Sequence, residues 1–174
     1  MDVVVPEEFR YLYAESSTPQ IVKVPAPVLR EVAAEVTKLT NKHRLLIENM
    51  IRIMENAHGV GLAAPQVGVS ERIIVMNPNR KPLVLVNPII TDREGSLIAE
   101  EGCLSIPGLY GDVERFAKVT VEGFDRKGRP VAYEMEGMSA RIIQHEIDHL
   151  DGVLFTDKVD VATLYWTKPY GNEE

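Results

Sequence analysis

The sequence predicts an α+β fold. Apolar residues recur at helical spacing over 40–57 and again over 137–150. The residues between them break into short β-branched runs bounded by glycine, proline and asparagine. Helix, strands, helix is also not the alternation that builds a parallel α/β sheet. The 174 residues suit one compact domain with a real core.

Taken in order, residues 1–20 look like an N-terminal extension to a single domain spanning 21–174. The extension mixes Phe9, Tyr11 and Tyr13 with acids and ends in Ser16-Ser17-Thr18-Pro19, and it either packs on the surface or stays loose. Pro25 and Pro27 mark an extended stretch. In the first helix Leu46, Met50, Ile53 and Ala57 form one stripe, flanked by Leu39, Ile47 and Met54. Thr40 can cap its start, and Gly59 sits where it stops.

GVGLAAPQVG (59–68) reads as a glycine-rich apolar loop, with Gly61 expected at positive φ. It follows a helix and lacks the third glycine of a dinucleotide fingerprint, so it is no phosphate loop. RIIVM (72–76) and PLVLVNPII (82–90) read as buried strands broken by Asn-Pro, and 96–101 as a further strand. Val119 and Val121 alternate onto one face of 118–124, a turn follows at 125–128, and 131–135 returns as a hairpin. In the second helix Met138, Arg141/Ile142, His145 and His149 share a face. A short apolar piece, 161–166, precedes the tail TKPYGNEE.

Hydrophobic residues make up 45% and charged residues 26%, an ordinary globular mix. The net charge of −7 argues against broad nucleic-acid binding and against docking on anionic lipid. A single cysteine, Cys103, allows no internal disulfide, as expected in a reducing compartment. The start MDVVVPEEFRYLY does not read as a targeting signal, and no apolar run approaches a membrane span. The expectation is a cytoplasmic protein.

Chemistry concentrates in QHEIDHLDGVLF (144–155). His145 and His149, four apart on a helix, can turn ring nitrogens to one ion, and Glu146 stands beside it as a base. The bland alternative is a polar helix end. A catalytic site wants a third protein ligand and an open position. Downstream there is no histidine, and position 155 is Phe155 where a third histidine would stand in some metalloproteases. Upstream, Cys103 sits in EEGCLSIPG. It reads as a small buried hydrophobe, as a nucleophile disfavoured by Glu100 and Glu101, or as a thiolate ligand. With His145 and His149 it makes a Cys-His-His site. Gln66 carries an amide able to donate to a developing oxyanion.

Three blocks together, GVGLAAPQ (59–66), EGCLS (101–105) and QHEIDH (144–149), resemble the signature motifs of the peptide deformylase family, in order and at typical spacing. PAPVLREVAAEV is similar to the family's N-terminal segment, and the resemblance covers roughly 20–160. It implies a mixed set of small β-sheets packed around the HExxH helix, and hydrolytic removal of the formyl group from the N-terminal formyl-methionine of nascent polypeptides. It implies one divalent metal, ferrous iron in vivo, with zinc or nickel as alternatives. The ligands would be Cys103, His145 and His149, the base Glu146, and the oxyanion donors Gln66 and the Leu104 N–H. Val60, Met138 and Ile142 would line the methionine pocket, with Ala99 a further candidate, and the substrate would run as an added strand past Gly61 and Gly102. Gln144 is read as support.

The sequence departs from the family in the first 20 residues and at Tyr110, near which some members carry a substrate-contacting arginine. Some members reach the ribosome through a basic C-terminal helix, which TKPYGNEE does not offer. That leaves a transient ribosome contact as the implied partner beside the nascent peptide. Two other readings compete: a peptidase using HExxH, which lacks its downstream ligand here, and a non-catalytic metal-holding relative, which would need neither Glu146 nor Gln66.

Overall fold

The computed structural model describes residues 1–14 and 20–168. Helix α1 is Asn41–Asn56, capped at Thr40, whose backbone N–H donates to His43 Nδ1 at 3.0 Å. A histidine thus does what glutamate or glutamine does in the usual capping box. Ile47, Met50, Ile53 and Met54 form its buried stripe. The helix closes at Ala57, and His58, not a glycine, takes the positive φ of 52°.

The stretch read as a loop is instead strand β1, Gly61–Ala63, and a 3-10 turn, Ala64–Val67. Gly61 does not take a positive φ; it pairs with Met76 of β2, Ile73–Met76. Three residues are too few to show a period, so only the neighbouring strand defines this one. Strand β3, Leu83–Glu94, runs through Asn87-Pro88. The dipeptide that was expected to break it makes a register shift between Val86 and Ile89, where proline owes the ladder no N–H. Asn87, at φ 50°, bonds the Val36 N–H and carbonyl at 2.9 Å each.

Strands Lys118–Phe124 and Pro130–Glu136 form the expected hairpin and complete a sheet. Numbered in chain order after β4, Leu97–Cys103, and β5, Ile106–Arg115, they are β6 and β7. The sheet order is β1-β2-β3-β6-β7, antiparallel throughout. Helix α2, Gly137–Leu150, buries Ala140, Ile143 and Ile147 against Ile74, Met76, Leu85, Val119 and Val121. The alternate residues Ile73, Val75, Val84 and Val86 pack with α1. Burial on both faces explains why β2 is apolar at every position.

The second sheet is β4-β5-β8, with β8 at Tyr165–Trp166. Strand β5 has no counterpart among the sequence expectations, because glycine and proline interrupt any strand pattern in IPGLYGDVER. A Cβ on its Gly111 would meet Val159 at 2.6 Å, so glycine serves close packing there. Residues Glu7–Tyr13 form a 3-10 segment that buries Phe9 and Leu12, with the Phe9 ring 5.3 Å from Trp166. The Met1 ammonium and Arg30 both bind Asp157. Residues 1–14 therefore pack on the body of the protein, whereas Ser16–Pro19 and residues 169–174 of the tail lie outside the described residues. No helix among the described residues is long and apolar enough to cross a membrane.

Helix α2 ends against Arg72, which donates to the Leu150 carbonyl at 3.2 Å. Beyond it Gly152 takes φ +71°, and a Cβ there would lie 2.6 Å from the Arg30 carbonyl oxygen. Gly152→Ala should therefore destabilise the fold by more than about 1 kcal/mol in urea unfolding. A change below about 0.5 kcal/mol would show that the end of α2 carries no such constraint.

Candidate metal and active site

A helix and an edge strand of each sheet meet at a cavity. Helix α2 brings His145, Glu146 and His149; the end of β4 brings Cys103; β1 and its 3-10 turn bring Gly61 and Gln66. A register shift between Gly102 and Cys103 breaks the β4 ladder. Such a bulge re-aims the side chain that follows it. One donor atom each from Cys103, His145 and His149 lies within 4.8 Å of the others, and Cys103 Sγ stands 3.3 Å from His149 Nε2.

The two imidazoles are held differently. His145 Nδ1 lies 2.9 Å from Glu101 Oε2, which leaves Nε2 for the cluster. His149 is buried, and its Nδ1 has no hydrogen-bond partner. Burial, then the neighbouring His145, keep the His149 pKa well below the usual imidazole value, so its ring is neutral. For His145 burial acts the same way, but hydrogen bonds to Cys103 and Glu101 outweigh it and raise the pKa. One ring of the cluster thus presents the neutral form that ligates a metal.

Glu101 corrects the sequence reading, in which it only opposed a thiolate. Its buried carboxylate accepts from Arg115 Nε at 2.8 Å, Arg115 Nη2 at 2.9 Å and Arg141 Nη1 at 2.8 Å. Burial would raise its pKa, yet Arg115 and His145 hold the carboxyl well below the usual range. Arg115 also pairs with Asp148, and Arg141 also bonds the Val113 carbonyl at 2.8 Å. Each buried charge is therefore matched, as such groups require.

Glu146 is buried and its Oε2 has no hydrogen-bond partner. Burial pushes its pKa up to about 7, with His145 acting the other way. A Cβ on Gly61 would overlap Glu146 Oε1, and one on Gly102 would strike the Tyr110 ring. These glycines make room for the Glu146 carboxylate and for the Tyr110 ring, not for a turn. Gln66 is buried with its amide oriented: Oε1 accepts from the Ala63 N–H at 3.0 Å, and Nε2 donates to Ser105 Oγ at 3.1 Å and toward Cys103 Sγ at 3.7 Å.

The cavity encloses about 680 Å³. Cys103, His145, Glu146, Gln66 and Leu104 line it, as do Val60, Gly61, Gly102, Met138 and Ile142. His149 sits behind the wall. Ala99 and Gln144 are not part of the lining. Gln144 bonds the backbone of Phe116 and Ala140, tying α2 to the β5–β6 connection. Sequence reasoning missed the second tier, Arg115 and Arg141, because a lone arginine does not reveal burial. It also missed Tyr11 and Leu12, which line the cavity, and Tyr13. Burial, then the Cys103 charge, raise the Tyr13 phenol pKa.

A cysteine sulfur, two imidazoles, a hydrogen-bonded second tier and a nearby unpartnered carboxylate oxygen fit a tetrahedral catalytic metal site with one position left open.

Residues 18–163 match the model of the polypeptide deformylase family. The chain is 51% identical over 151 residues to the peptide deformylase of Desulforudis audaxviator, covering 86% of this chain and 97% of that one. It is 54% identical over 142 residues to that of Halothermothrix orenii, covering 80% and 92%. Among solved structures, the fold matches the peptide deformylase of Thermotoga maritima with TM-score 0.79 at 42% identity, covering 80% of this chain and 96% of that one. It matches the Synechococcus elongatus peptide deformylase in complex with actinonin with TM-score 0.78 at 45% identity, covering 80% and 78%.

Removing the Cys103 sulfur should weaken metal binding by at least about 100-fold, read by competition with a chelating dye on Cys103→Ala. Wild-type affinity in that variant would take Cys103 out of the ligand set.

Proposed function

The chain belongs to the polypeptide deformylase family, and we propose that it hydrolyses the formyl amide of N-terminal formyl-methionine on nascent polypeptides, releasing formate and a free α-amine. The observation that carries this reading is the meeting of the Cys103, His145 and His149 donors within 4.8 Å beside a buried Glu146 carboxylate with an unpartnered oxygen. A peptidase reading lacks such support, since the third donor comes from upstream cysteine.

Cys103, His145 and His149 would hold one divalent ion. The donor set accepts ferrous iron, zinc or nickel, and iron is chosen on the family resemblance. The ion supplies Lewis acidity when bound. Glu146 takes a proton from the attacking water and gives it to the departing amine nitrogen. Burial raises its pKa and favours keeping a proton, while a neighbouring cation favours releasing one, and the two transfers need both. Gln66 Nε2 and the Leu104 N–H donate to the oxyanion, each such donor being worth about 3 kcal/mol. Val60, Met138 and Ile142 receive the methionine side chain. Strands β1 and β4 are edge strands of their sheets, and their Gly61 and Gly102 line the cavity, so an extended peptide fits along them. The setting is cytoplasmic, and the enzyme meets its substrate transiently at the ribosome.

The test is formate release from formyl-Met-Ala-Ser by iron-loaded protein under anaerobic conditions. Wild-type protein should turn over, and Glu146→Ala should lose about 1,000-fold in kcat while keeping its metal. Loss of the metal in that variant would make the glutamate a ligand instead of a base. Gly61→Ala should lose about 100-fold in kcat/KM with metal content intact, because its Cβ displaces the Glu146 carboxylate. Near-wild-type turnover there would mean that this carboxylate position does not matter.

A further inference from the structure

Helix α2 carries Arg141, His145 and His149 at successive turns of one face. Arg141 is buried and lies outside the donor cluster. Its guanidinium reaches across to the second sheet. Nη1 donates to Glu101 Oε1 at 2.8 Å and to the Val113 carbonyl at 2.8 Å, and Nη2 donates to the Leu97 carbonyl at 2.6 Å. Leu97 and Glu101 belong to β4, and Val113 pairs with Ala99 across β4 and β5. One side chain of the helix is thus fastened to three points of the strand pair whose first member ends in Cys103.

His145 grips the same carboxylate. Its Nδ1 lies 2.9 Å from Glu101 Oε2, while Arg141 holds Oε1. The two residues stand one helical turn apart, about 5.4 Å along the axis. A carboxylate held at both oxygens from successive turns fixes how the helix is rotated and how far it is advanced along β4. Turning or sliding α2 breaks one of the two bonds. Cys103 follows Glu101 by two residues, just past the register shift at Gly102, so its place relative to the two imidazoles depends on this double grip. Arg115 also binds Glu101, but from β5 of the same sheet, and it meets α2 only at Asp148. We propose that Arg141 is a positioning residue that holds Cys103 in reach of His145 and His149, so that the three donors are assembled before a metal ion enters. The inference rests on the metal-site reading and adds to it a residue outside the ligand set. The role needs a planar fork, which serves several acceptors at fixed angles where an ammonium on a flexible stem does not.

The test is cobalt(II) binding to metal-free protein under anaerobic conditions, read by competition with a chelating dye and by the visible bands of the bound ion. Arg141→Lys keeps the charge and loses the fork, whereas Arg141→Met loses both. Arg141→Lys should weaken cobalt(II) binding about tenfold and Arg141→Met about 100-fold, the range expected when outer partners of metal ligands are removed. In both, the visible bands should weaken per bound ion, because donors out of register hold the ion with fewer ligands. Gly128→Ala is the reference for plain loss of stability. Gly128 has φ +78° between β6 and β7 and takes no part in the cavity, so this variant should bind cobalt(II) as the wild type does. Wild-type affinity and bands in Arg141→Lys would show that Arg141 only balances the Glu101 charge, and would overturn the positioning role. An equal loss of affinity in Gly128→Ala would overturn it too, as would an unfolded circular dichroism spectrum of both Arg141 variants before metal is added. No cobalt(II) binding by the wild type would instead overturn the metal-site reading, and this inference with it.

Discussion

The contact between Glu101 and His145 Nδ1 joins two bodies that otherwise share little covalent logic. Helix α2 is packed on the five-stranded sheet through Ala140, Ile143 and Ile147. Strand β4 belongs to the other sheet and carries Glu101 and Cys103 two residues apart. When Glu101 binds His145, Cys103 is brought to the same imidazoles, so ligand orientation and sheet docking are one event. The price is a buried carboxylate, offset by two guanidinium groups, Arg115 and Arg141. Removing either arginine would leave charge unmatched close to the Cys103, His145 and His149 cluster.

The space around this junction is set by what is missing. Gly61 leaves room for the Glu146 carboxylate, and Gly102 leaves room for the Tyr110 ring. Both sit on edge strands that border the cavity, where unpaired backbone groups can receive an extended chain. At Gly61 the edge position that borders the cavity is also the one that leaves room for the Glu146 carboxylate. A side chain at either position would press on the chemistry before it pressed on the fold.

The aromatic N-terminal segment, which precedes the matched residues, lends Tyr11 and Leu12 to the wall of the cavity. Its order comes from contacts far away in sequence: Asp157, Trp166 and Gly108. Nothing in MDVVVPEEFRYLY announces those partners, which is why its sequence reading stayed divided between packed and loose.

What the sequence determined by itself was local or paired in one element. The His145–Glu146–His149 spacing needs only a helix to become a face, the 118–135 hairpin needs only alternation and a turn, and Thr40 needs only a helix to cap. The motif order was enough to name Cys103 and Gln66 as partners of that face. Only the tertiary structure decided the rest. Strand β5 exists because β4 pairs with it, Asn87-Pro88 is absorbed as a bulge because Val36 bonds Asn87, and Gly61 is extended because Met76 lies opposite. Glu101 became a partner of His145 because Arg115 and Arg141 stand around it. Each of these depends on a residue distant in the chain, and distance in the chain is what a local period cannot report.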